Sequence, residues 1–79
     1  MEIKVLGTGC PKCKSLEKAT VSALAEMDVD ATVVKEEDIM KIMSYGVMHT
    51  PGLVINEKVV HSGSVPSMAE IKRLITQNQ

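Results

Sequence analysis

The order strand, helix, strand over residues 2–35 constrains the fold more than any other feature of this chain. The stretch "EIKVL" (2–6) is short, carries β-branched residues and is bounded by Gly7 and Gly9, so it reads as a strand. Apolar positions then recur at Leu16, Ala19, Thr20, Ala23, Leu24 and Met27. That spacing is one face of a helix over 11–27. Pro11 suits the first turn, where a missing N–H has no helical partner to lose. "DATVVK" (30–35) reads as a second strand. A strand, a helix and another strand predict a parallel pair joined by a right-handed crossover.

The remainder adds a short helix, a hairpin and a closing helix. "EEDIMKIMSYG" (36–46) has acids where a first helical turn favours them, and Gly46 as a stop. "LVI" (53–55) and "VVH" (59–61) flank the turn "NEK", with Asn56 supplying the turn chemistry. "SMAEIKRLITQ" (67–77) has Ser67 and Glu70 at capping-box spacing, and Met68, Ile71, Leu74 and Ile75 on one face. The order β-α-β-α-β-β-α predicts an α/β fold with a four-stranded mixed sheet, in a single domain over 1–79. With one Tyr, no Phe and no Trp, the six Met must help fill the core. Met40, Met43 and Met68 are placed there, and Met48 at the rim of a site.

Composition narrows the function. A net charge of −1 gives no basic footprint for nucleic acid, and the aromatic platforms of single-strand binders are missing. No run of about 18 apolar residues exists to span a membrane. "MEIKVLG" is too short and too charged to read as a signal peptide, so the expected location is cytoplasmic. In that compartment a cysteine pair is catalytic or metal-binding more often than a static staple.

The pair is Cys10 and Cys13, separated by Pro11 and Lys12, between the first strand and the first helix. Cys10 then falls near the helix N-cap, where unpaired N–H groups and the helix dipole favour a thiolate. Lys12 and Lys14 add positive charge, and Pro11 stiffens the loop. A Cys-X-X-Cys thiol so placed can fall from about 8.5 into the range of roughly 3.5–7.5. Cys13, a turn further in, can reach the Cys10 sulfur while being less exposed. This asymmetry suits thiol–disulfide exchange, with Cys10 attacking and Cys13 resolving. Two alternatives stay open. A structural zinc site needs four ligands, and only His49 and His61 stand available, without the usual spacing. A soft-metal carrier needs two thiolates for Cu(I), but carriers of the ferredoxin-like class run β-α-β-β-α-β. In "MHTPGLVI" (48–55), Pro51 opens a strand, where proline belongs because it cannot donate to a ladder. The residue types alone leave the Thr50–Pro51 bond trans or cis.

Cys-Pro-Lys-Cys at a strand–helix junction, with Thr50-Pro51 before a hairpin, resembles the thioredoxin/glutaredoxin superfamily. "GTGCPKC", "TPGLVINEKVV" and "SGSVPSMAEIKRLI" look like its small "redox-active disulfide protein 2" group, over essentially the whole chain. The resemblance implies a thioredoxin-like fold and a protein-disulfide oxidoreductase that needs no cofactor. Its partners would be a thioredoxin-reductase-like electron donor and oxidised target proteins, and it would act as a monomer. It also implies a cis Pro51 beside Cys10 and Cys13, and a Thr50 backbone that pairs with an extended substrate segment. There are departures. Gly9 stands where thioredoxin has Trp, and Lys4 stands where thioredoxin has a buried Asp that handles the resolving proton. The stem of Lys4 is expected along apolar surface with its ammonium in solvent. "HTP" and "SGSVPS" match the glutathione-binding segments of glutaredoxins only in part. His49 is expected in an exposed loop.

Overall fold

The computed structural model describes residues 1–8 and 11–78. Its elements are β1 (Glu2–Leu6), α1 (Pro11–Met27), β2 (Thr32–Glu36), α2 (Ile39–Ser44), β3 (Gly52–Ile55), β4 (Lys58–Ser62) and α3 (Met68–Gln77). The sheet order is β2-β1-β3-β4. β1 pairs in parallel with β2, from Glu2 opposite Thr32 to Leu6 opposite Glu36. It pairs antiparallel with β3, from Ile3 opposite Ile55 to Leu6 opposite Gly52. β3 and β4 form an antiparallel hairpin with a register shift at Leu53/Val54.

Helices cover both faces of the sheet, so β3 reads "GLVI" without a polar alternate. Ile3, Val5, Leu53 and Ile55 pack with Leu16, Ala23 and Leu24 of α1 and Ile71, Leu74 and Ile75 of α3. On the other face Leu6 and Val54 meet Ile42 of α2 and Val47, with Tyr45 and Val59 at the margin. The buried hydroxyl of Thr20 donates to the Leu16 carbonyl at 2.7 Å.

The ends of the elements have identifiable causes. α1 stops at Asp28, whose φ is 55°. Val29 N–H reaches Leu24 O at 3.1 Å and Asp28 N–H reaches Ala25 O at 3.3 Å. This is a Schellman stop with Asp in the place glycine usually takes. The β3–β4 turn places Asn56 and Glu57 at φ 50° and 68°, the type I′ pattern of a two-residue hairpin. At α3, Ser67 Oγ accepts from Glu70 N–H at 3.2 Å. The Glu70 carboxylate turns instead to Arg73, so half of the expected capping box forms.

Several expectations need correction. β2 runs 32–36 instead of 30–35, and Glu36 belongs to it. The acids therefore precede α2. Asp38 is its N-cap and accepts from Met40 N–H at 2.9 Å. Met40 and Met43 are not core: they are 72% and 63% exposed. α2 has fewer than two turns, and only Ile42 reaches the sheet. Met68 does pack against the larger core.

Candidate functional site

The site forms where β1 leaves the sheet. Gly7 is buried and prolongs the parallel pairing by one bond, its N–H reaching Glu36 O at 3.0 Å. Beyond it the chain turns into α1, which begins at Pro11. Cys13 lies on the buried face of α1 with Leu16 and Thr20 and is 6% exposed. Its sulfur rests directly on Gly7. A methyl group on Gly7 would overlap the Cys13 Sγ and lie 2.9 Å from its Cβ. The same methyl group would stand 4.0 Å from the Thr50 Cβ. Gly7 thus brings Cys13 and Thr50 into one small volume.

Thr50–Pro51 is a cis peptide bond, and Pro51 is fully buried. The Pro51 carbonyl accepts from Gly63 N–H at 2.9 Å, which ties the loop to the end of β4. Gly63 has φ +88°, a conformation that favours glycine. The neighbours of this loop point outward: His49 is exposed, and Met48 is 88% exposed.

Pro11 and Lys12 are exposed on the first turn of α1, as is Lys14. That turn carries no acid, so lysine charge and helix dipole act in the same sense. Cys10, expected at the helix N-cap, lies outside the described residues, as does Gly9.

The Lys4 ammonium reaches the surface, as expected, and is also paired there, with 21% of the side chain exposed. Lys4 alternates with Ile3 and Val5 and so faces α2. Its Nζ donates to Tyr45 Oη and to Glu57 Oε1, each at 2.9 Å. It also stands 3.6 Å from Glu2 and 5.6 Å from the Tyr45 ring centroid. Hydrogen bonds to Tyr45 and then Glu57 raise the Lys4 pKa well above its ordinary value. Hydrogen bonds from Lys4 and then Tyr45 lower that of Glu57. Sequence reasoning found Lys4 but not its partners, although Tyr45 is the only aromatic residue of the chain. It also passed over Gly7, read only as a strand boundary.

No group of three or more His, Cys, Asp or Glu among the described residues is placed to hold a metal ion. No helix among them is long and apolar enough to cross a membrane.

A β2-β1-β3-β4 sheet, with a cysteine in the first turn of the helix after β1 and a cis-proline before β3, defines a thioredoxin-like fold. The chain belongs to the Thioredoxin domain family, whose model matches residues 1–76. It is similar to a thioredoxin of Methanocaldococcus jannaschii, 39% identical over 70 residues, covering 89% of this chain and 80% of that one. It is also similar to a thioredoxin of Methanothermobacter thermautotrophicus, 34% identical over 76 residues, covering 96% and 99% respectively. Among solved structures, thioredoxin 1 from Thermosipho africanus TCF52B superposes with a TM-score of 0.64 at 20% identity. That match covers 98% of this chain and 92% of the other, and it bears on the fold alone. Membership of this family makes the chain a protein-disulfide oxidoreductase in its general class.

Proposed function

We propose that Cys10 and Cys13 are the exchanging pair of this oxidoreductase, acting within one domain over residues 1–79. The Cys10 thiolate attacks a disulfide of a protein or of a low-molecular-weight thiol. One target sulfur leaves as thiolate and takes up a proton, and a Cys10–target mixed disulfide remains. Cys13 then loses its proton to water and attacks the Cys10 sulfur. The Cys10–Cys13 bond forms, the Cys10–target bond breaks, and two electrons have passed to the target. A thioredoxin-reductase-like donor returns the pair to the dithiol. Pro11 and Lys12 hold and charge the approach to Cys10, and Thr50 and Pro51 flank the bound target segment. The protein works as a monomer in the cytoplasm.

The observation that carries this reading is the burial of the Cys13 sulfur against Gly7, beside Thr50 and the cis Pro51. A resolving thiol should be shielded until the mixed disulfide forms, and Cys13 is shielded. Lys4 takes no part in its proton transfer. The Lys4 ammonium is held by Tyr45 and Glu57 on the sheet face away from α1, three residues or about 10 Å of strand from Gly7.

The test is a titration against the glutathione couple, with insulin reduction as the activity. A reversible two-electron transition is expected, at about −200 to −280 mV. Added Cu(I) or Zn(II) should leave it in place. Tight stoichiometric binding of either metal with no measurable couple would establish the carrier instead.

A further inference from the structure

Gly7 has no backbone reason to be glycine. The positive-φ glycines among the described residues are Gly46 and Gly63, and Gly7 is not one of them. Its need for glycine comes from what lies above its Cα, which is the Cys13 side chain. We propose that Gly7 is a positioning residue for disulfide exchange: its missing side chain is the seat that sets the depth of the Cys13 sulfur. The proposal rests on the reading of Cys13 as the resolving thiol.

A methyl group at Gly7 makes two separate demands. The overlap with Cys13 Sγ can be relieved by rotating the cysteine side chain. The 2.9 Å approach to Cys13 Cβ cannot, because it needs the backbone of α1 or of β1 to move. β1 is paired on both sides, and its Ile3 and Leu6 are fully buried. Leu16 and Thr20 of α1 are fully buried as well, but the start of that helix carries the exposed residues Pro11, Lys12, Lys14 and Ser15. The first turn of α1 is therefore what yields, and Cys13 moves outward. A disulfide accepts Cβ separations only over roughly 3.5–4.5 Å, whereas two separate thiols impose no such limit. The displacement thus acts on the disulfide more than on the dithiol. Thr50 is at ordinary contact distance from the added methyl group and need not move.

The experiment uses the full chain and Gly7→Ala. The glutathione equilibrium, read by alkylation and mass, should shift toward the dithiol by tenfold or more, which is about 30 mV for a two-electron couple. Cys13 of the reduced variant should react faster with iodoacetamide. Urea unfolding is then compared for Gly7→Ala in the wild-type and Cys13→Gly backgrounds. Most of the stability lost in the first background should return in the second, because both the Sγ and the Cβ that the methyl group meets are gone. If Gly7→Ala does not fold alone, Cys13→Gly should restore folding. An unchanged glutathione equilibrium, or equal stability loss in both backgrounds, would overturn the proposal. Loss of any two-electron transition in the wild-type chain would instead overturn the oxidoreductase reading on which it rests, whatever the unfolding cycle shows.

Discussion

On the face covered by α1 and α3, ten buried apolar residues among those described, drawn from β1, β3 and both helices, form one core. On the face covered by α2, four buried residues do so, and Lys4, Tyr45 and Glu57 take up the adjoining position on the sheet with hydrogen bonds. A chain with one aromatic residue lacks bulky side chains to fill two cores, so one face is filled and the other finished with a polar cluster. Cys13 lies on the filled side, in line with Leu16 and Thr20. Cys13 thus lies at the start of a helix whose later residues are anchored in the filled core, while α2 is lightly held.

Truncation on the filled face should have the largest effect. Ile71→Ala should cost about 2–5 kcal/mol, a large share of the roughly 5–15 kcal/mol a domain has to lose. Its urea midpoint should fall accordingly. Ile42→Ala removes the one buried anchor of α2. It should cost near the lower end of that range, about 2 kcal/mol. Amide exchange should then show α2 opening while α1 and α3 remain protected. Equal global unfolding in both variants would abolish the distinction between the faces.

The polar cluster should show itself through pH. Hydrogen bonds from Lys4 and Tyr45 hold the Glu57 carboxyl below the ordinary glutamate range. A lowered folded pKa adds stability above the ordinary pKa, and that stability is lost as pH falls through the folded value. Acid titration of wild-type stability should therefore steepen below about pH 4.5, and Glu57→Gln should remove part of that slope. Glu70, lowered by Arg73, keeps the remainder in both proteins. The smallest effect belongs to Met43→Gln. At 63% exposure it should change stability by no more than about 0.5 kcal/mol, whereas a core methionine would cost several times that.

Periodicity located α1 and the order of elements, because the apolar positions of a seventeen-residue helix recur on one face over more than four turns. It failed on α2. A six-residue helix has no full second turn to reveal which side is buried, so residue type alone points Met40 and Met43 inward, whereas both are exposed. The acids before α2 were legible as a helix start but not as its N-cap, since Glu36 also extends β2. The I′ turn at Asn56-Glu57 was only half legible. Glutamate at φ 68° costs about 1 kcal/mol locally, and what holds it is the long-range pairing of its carboxylate with Lys4 and Tyr45. At the site, Cys13, Thr50 and Pro51 could be named from motif chemistry. The role of Gly7 could not, because it depends on where a helix begun four residues later sets a sulfur atom.

The central claim is that the shielded Cys13 resolves what Cys10 begins. Cys13→Ser and Cys10→Ser are each incubated with an oxidised target protein, and any mixed disulfide is mapped by mass spectrometry. Cys13→Ser should accumulate a target adduct on Cys10, and Cys10→Ser should accumulate little, since Cys13 is only 6% exposed. A target adduct on Cys13 of the Cys10→Ser variant, with none on Cys10 of the Cys13→Ser variant, would contradict the account.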